Sequence, residues 1–241
     1  MSLLDRFRKA LTGTAPTAAL DPAAATAPVG ATTFIRPGSG NAARSDVISL
    51  KKGGVVSLSK NETVILTKNE GPALTRVIMG LGWKESRTSQ PIDLDASAIL
   101  LDTAGKVVGL VWYGKKNAFG NTVKHSGDNL VGGSGKKDDE QIKVDLAGLP
   151  GHVQHVVFTV NAYSGHTFDQ VSAVYCRLLD DAARHPVELV RFSLGEAHGS
   201  TGVFMCRLSR SGSSWTMTSI GQYQDGRTVN DMTGAVRDLV C

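Results

Sequence analysis

The chain has 241 residues, 41% hydrophobic and 20% charged, with a mean hydropathy of −0.07: enough apolar material for one large all-β domain or a domain with appendages. No apolar run approaches the ~18–20 residues of a membrane-spanning helix, and three scattered cysteines (Cys176, Cys206, Cys241) without a CxxC pair argue against a disulfide scaffold or a thiolate zinc site. The net charge of +4 sits wholly in residues 1–52, and the remainder carries equal numbers of basic and acidic side chains, so a basic nucleic-acid-binding face on the body is disfavoured.

In chain order, SLLDRFRKAL (2–11) places Leu3, Leu4, Phe7 and Leu11 at helical spacing with Arg6, Arg8 and Lys9 between them. It reads as a short basic amphipathic helix, either a frayed arm or a peripheral membrane- or partner-docking peptide. No secretory h-region precedes it, which together with the cysteine usage predicts a cytoplasmic protein, peripheral at the inner membrane face at most. Residues 12–45 are rich in Ala, Thr and Pro and bury too little to offset ordering entropy, so they predict a tether. The expected division is 1–45, amphipathic segment plus linker, and 46–241, the folded domain.

From there the pattern has period 2. VVSLS (55–59) and TVIL (63–66) flank a turn at Lys60–Glu62, and LTRVIMGLGW (74–83) alternates between two faces. LDASAILL (94–101) and VVGLVWY (107–113) form a hairpin signal with Gly105 in the turn. QIKVDL (141–146) and VQHVVFTVNAY (153–163) follow. VSAVYCRLL (171–179) with VELVRFSL (187–194), and GVFMCRLSR (202–210) with SWTMTSIGQ (214–222), are two further hairpins. Val229, Met232, Val236 and Val240 at 3/4 spacing predict one closing helix. The expected fold is all-β: an antiparallel β-sandwich of about nine or ten short strands with a short C-terminal helix and a flexible N-terminal arm.

Catalytic motifs are absent: no HExxH, no GxSxG, and no Ser/Thr after GGSGKK (132–137) to make a phosphate loop. His152 and His155, three apart on a predicted strand, point to opposite faces and make a poor metal pair. No residue set satisfies the nucleophile–base–orienter test, so no enzyme is expected.

The acids are more informative. In extended chain Asp93 and Asp95 share one face, with Leu94 turned away. HSGDN (125–129) and KKDDE (136–140) then offer Asp128, Asn129, Asp138, Asp139 and Glu140. Carboxylates gathered at one end of a sandwich repel unless a cation neutralises them, and Ca²⁺ suits irregular oxygen-rich loops. Spacing alone leaves open whether these are a cation site or ordinary solvated loop acids.

SLKKGGVVSLSK (49–60), VIMGLGW (77–83), DLDASAILL (93–101), HSGDNLVGG (125–133), DDEQIKVDL (138–146) and VVFTVNAY (156–163) resemble, in this order, the TerD family of tellurite-resistance and stress proteins. The resemblance spans about residues 47–225. It implies a calcium-binding β-sandwich without known enzymatic activity, part of a membrane-associated bacterial complex. The expected role is an adaptor with other stress-response proteins or in such a complex, with residues 2–11, which lie outside the resemblance, as the candidate contact. Carried over motif by motif, it makes Asp93, Asp95, Asp128, Asn129, Asp138, Asp139 and Glu140 the metal ligands. Three departures weaken a second calcium site: GGSGKKDDE where the family loop reads GEGDGDDE, Lys84 in place of an Asp after GLGW, and Glu196 as the lone acid of LGEAHGS. One good Ca²⁺ site and at most one weakened second are therefore expected. The alternative is a module binding phosphate, a lipid headgroup or another ligand, with a degenerate metal site, in which Lys136 and Lys137 attract phosphate.

Overall fold

Alternating apolar residues need two surfaces to bury against, and the chain supplies them as two seven-stranded sheets. The computed structural model describes residues 47–50, 54–68, 73–84, 92–128, 138–171, 173–182, 184–194 and 199–241, all within the compact unit Ala43–Cys241. The predicted arm and linker, residues 1–45, lie outside the described residues, as do Asn129, Lys136, Lys137 and Glu196.

The strands are β1 (Val47–Leu50), β2 (Val56–Leu58), β3 (Thr63–Lys68), β4 (Arg76–Lys84), β5 (Leu94–Leu101), β6 (Val107–Val111) and β7 (Asn117–Ala118). They continue as β8 (Val123–His125), β9 (Glu140–Asp145), β10 (His155–Ala162), β11 (Ala173–Asp180), β12 (Val187–Ser193), β13 (Gly202–Ser211) and β14 (Ser214–Gln224). The first sheet runs β1-β3-β14-β13-β10-β5-β6 and the second β2-β12-β11-β4-β9-β8-β7. All three predicted hairpins form: β5–β6, β11–β12 and β13–β14. In the first, Gly105 takes the left-handed conformation (φ 71°), and Asp102 Oδ1 accepts from the Ala104 and Lys106 N–H groups (2.9 Å each).

Three expectations need correction. The described residues form fourteen strands rather than nine or ten, because short ones such as β7 and β8 exist only through pairing with neighbours. The sheets are mixed, since β1 pairs with β3 and β2 with β12 in parallel. The closing helix is two short pieces, α1 (Val229–Met232) and a 3-10 turn at Val236–Leu239, with Gly234 between them where helix propensity is lowest. His152, moreover, lies in the turn before β10 with its ring against Phe119 (5.7 Å), so only His155 is on the strand, where it bonds Ser209 (2.9 Å).

The main core lies between the sheets. Val77, Met79, Leu81 and Trp83 of β4 share one cluster with Ala96, Ala98 and Leu100 of β5 and Val156, Phe158 and Val160 of β10. A second cluster joins Ile99 and Leu101 of β5, Val157 and Phe204 to Val229, Met232 and Val236. The C-terminal pieces thus cover the outer face of the first sheet, which is why β5 is buried at every residue and its sequence is apolar on both faces after Ser97.

Candidate metal centre

At its N-terminal end β5 loses a neighbour. β6 pairs with it from Ala98 to Leu101 only, then turns away, leaving the Ala96 backbone with no strand from the described residues on that side. Two side chains from the second sheet replace it. Glu140 Oε2 accepts from the Ala96 N–H (2.7 Å), and His125 Nε2 lies 3.1 Å from the Ala96 carbonyl oxygen. Because Gly127 N–H donates to His125 Nδ1 (3.1 Å), the ring proton sits on Nε2 and is directed to that carbonyl, with Glu140 Oε2 3.4 Å away. Both residues are buried. This polar clasp ties the sheets together and opens the end of β5.

Asp93 and Asp95 emerge there. Trp83 Nε1 donates to the Ile92 carbonyl (3.2 Å), fixing the chain just before Asp93. As the period of 2 requires, the two carboxylates fall on one side, and Asp128 comes to meet them from the segment after β8. One oxygen from each lies within 4.8 Å of the others. Asp95 is 5% exposed, and Asp93 Oδ1 is buried with no hydrogen-bond partner among the described residues. Burial, then the charges of Asp93, Glu140 and Asp128, push the Asp95 carboxyl up to about 8. Asp93 is raised by burial and then by Asp128 and Glu140. Carboxylates gathered in this way, with Asp95 buried, Asp93 half-buried and Asp128 exposed, are costly to ionise together unless something positive joins them.

The remaining predicted ligands part company. Asp138 lies on the outer face of the second sheet, where Arg177 grips it through Nε (2.7 Å) and Nη2 (3.1 Å) and Gln141 Nε2 donates to it (2.9 Å). Asp139 Oδ2 accepts from the Trp83 N–H (2.9 Å); burial raises its carboxyl, the Trp83 bond partly offsets this, and the charges of Asp138 and Glu140 add to the rise. Glu140 faces inward as described. Asn129 is outside the described residues. What pattern reading missed is Tyr113, after β6. Burial, a hydrogen bond to Tyr163 and the charges of Asp95 and Asp128 push its phenol up to about 12. The Tyr113 and Tyr163 rings meet edge to face at 5.9 Å beside the carboxylates. No spacing rule pairs residues fifty positions apart.

The donor set fits a hard cation. All three converging groups are carboxylates, and both nitrogens of the nearby His125 are engaged, so no nitrogen or sulfur ligand competes among the described residues. Asp93, Asp95 and Asp128 would hold Ca²⁺, which supplies charge neutralisation and a cross-brace between β5 and the segment after β8.

The raised carboxyls also set a pH dependence for the cation-free protein. An Asp95 that ionises near 8 in the folded state and near 3.8 when unfolded stabilises the fold fully below the lower value. That contribution is lost as pH rises through 8. In excess chelator, the melting temperature of the wild type relative to Asp95→Asn is therefore expected to fall steadily between about pH 5 and pH 8. A difference that stays constant across that range overturns the assignment.

Comparison with known proteins agrees with this architecture. A family model for the TerD domain matches residues 54–233. The chain is 38% identical over 170 residues to the tellurium resistance protein TerZ of Serratia marcescens, covering 66% of this chain and 86% of that one. General stress protein 16U of Bacillus subtilis is 34% identical over 166 residues, covering 64% and 84%. A crystal structure of a homologue of telluride resistance protein (TerD) from Streptomyces coelicolor A3(2) superposes with a TM-score of 0.56 at 22% identity, over 66% of this chain and 98% of that one, and shares the fold. The match over most of the folded body, on the same sandwich, leads to one conclusion: the chain belongs to the TerD family.

Proposed function

We propose that this chain is a non-enzymatic calcium-binding protein of a bacterial tellurium-resistance or stress-response system. The names of its relatives, tellurium resistance proteins and a general stress protein, support the cellular setting. The metal reading is carried by one observation: three converging carboxylates in which Asp95 is almost wholly buried and Asp93 Oδ1 has no partner among the described residues. Calcium neutralises charges that otherwise repel, and it orders the end of the sandwich where Tyr113 and Tyr163 stand. That ordered end suits an adaptor, whose output is a docking surface rather than a reaction. The basic segment 2–11 would add a peripheral contact to a membrane-bound complex. No described helix is long and apolar enough to cross a membrane.

Calorimetric titration of Ca²⁺ into chelator-treated full-length protein tests this. About one ion per chain is expected, with micromolar or tighter affinity, and the melting temperature rises with calcium concentration because the ion binds only the native state. Absence of binding heat together with an unmoved melting curve would sink the metal reading.

A further inference from the structure

The outer face of the second sheet carries a different constellation. β4 and β9 run antiparallel, with Glu140 opposite Leu81 at the carboxylate end and Asp145 opposite Arg76 at the other, about 17 Å away along the strands. At that far end lies a groove of about 250 Å³, lined by Arg76, Thr122, Lys124, Lys143, Asp145 and Asp181 among others.

Its charges are arranged unusually. Lys124 and Lys143 stand directly opposite each other in the β8–β9 register, and both are exposed. Like charges so placed repel, with Cβ atoms about 5 Å apart. Arg76 approaches from the next strand. The two acids of the groove are already engaged: Asp145 Oδ1 accepts from the Gly148 N–H (3.1 Å), and Asp181 Oδ2 faces Lys143 Nζ at 3.8 Å. Arg76 Nη2 makes a long bond to the Asp181 main-chain oxygen (3.4 Å). Among the described residues Lys124 has no partner, and Thr122 Oγ1 is buried without one.

We propose that this groove is a phosphate-binding site, with Lys124, Lys143 and Arg76 surrounding one compact phosphate group. An anion between the two lysines turns their repulsion into two charge-assisted hydrogen bonds, and the Arg76 guanidinium offers a further fork. Asp145 and Asp181 bound the groove and repel a second phosphate, so the site takes an isolated phosphate or monoester rather than a polyphosphate or a nucleic-acid backbone. The source is either a soluble phosphate ester or a lipid headgroup. The site is independent of the calcium reading, sharing no residue with it.

The test uses the full-length chelated protein, with Lys124→Gln/Lys143→Gln as the variant and the charge-matched Lys60→Gln/Lys106→Gln, two exposed lysines outside the groove, as the control. Inorganic phosphate and glycerol phosphate are titrated by calorimetry and by amide chemical shifts. Co-sedimentation is measured with phosphatidylcholine vesicles with and without phosphatidic acid. Saturable binding to the wild type and to the Lys60→Gln/Lys106→Gln control, weakened about tenfold or more in Lys124→Gln/Lys143→Gln, supports the site. Binding of the soluble esters identifies a free ligand. Sedimentation that needs phosphatidic acid and is lost in Lys124→Gln/Lys143→Gln identifies a headgroup. Equal binding by wild type and Lys124→Gln/Lys143→Gln, or no saturable binding in any arm, overturns the proposal.

Discussion

Replacing Asp95 by asparagine should abolish the calcium response while raising the melting temperature of the chelated protein. The two effects share one origin. Asp95 is 5% exposed and faces the charges of Asp93, Glu140 and Asp128, and no described group donates a hydrogen bond to it. Without a cation, the folded chain must keep this carboxyl protonated near neutral pH or bear the repulsion of ionising it, while the unfolded chain ionises it freely. Asparagine has the same shape and no charge to bury. It is expected to stabilise the chelated protein at pH 7 by on the order of 2–3 kcal/mol, or roughly 5–10 °C in a domain of this size. With calcium in excess the order inverts: the wild type gains the binding free energy and the variant does not. Melting curves of both proteins in chelator and in calcium provide the check. A chelated variant that melts below the wild type shows that Asp95 supports the fold, and a variant that keeps the full calcium shift shows that it holds no ion.

The contrast between Asp93–Asp95 and Asp138–Glu140 shows what a sequence can disclose. Same-face placement of Asp93 and Asp95 follows from the pleat alone, and the strand supplies it. Asp128 reaches them only through the pairing of β8 with β9 in the opposite sheet, which no local pattern encodes. The run Asp138–Asp139–Glu140 looks like one acidic cluster, and in extended chain Asp138 and Glu140 would share a face, but only Glu140 belongs to β9 and a bend at Asp139 breaks the alternation. Asp138 goes outward to Arg177, Asp139 caps the Trp83 N–H, and Glu140 turns inward to Ala96. The same limit applies to the fold. Hairpins with short turns were legible, because turn chemistry and alternation specify both strands together. The turn at Lys60–Glu62 was legible too, with Asn61 at φ 65°, but not that it carries the chain from one sheet to the other. Sheet membership is decided by long-range packing, and so is the strand status of two- and three-residue segments such as β7 and β8.

Arg177→Met should be the most destabilising single change in the outer-face network, by about 3 kcal/mol. The Asp138 side chain is 1% exposed, while Arg177 is 22% exposed and holds it with two short bonds. A third bond, from Arg177 Nη1, reaches Glu188 (2.9 Å), which Arg191 grips on its other side (2.7 and 2.9 Å) while lying over the Tyr175 ring at 4.6 Å. Burying Asp138 so deeply is possible because position 80 is glycine: a Cβ there would lie 2.2 Å from Asp138 Oδ2. The carboxylate therefore lies flat on β4 with little access to water, and removing the guanidinium strands its charge against the sheet. Gln141 Nε2 remains as a donor (2.9 Å), which keeps the cost below the upper end for buried ion pairs. The penalty belongs to the uncompensated charge rather than to lost contacts, so Arg177→Met/Asp138→Asn should recover more than half of it. Chemical denaturation of the wild type, the two single variants and the double variant closes the cycle. A cost below about 1 kcal/mol, typical of an exposed pair, or a double variant as unstable as the arginine replacement alone, would mean that Asp138 is not held by Arg177 in solution. The ordering of the segment leading into β9, and with it the placement of Glu140 against Ala96, would then need another source.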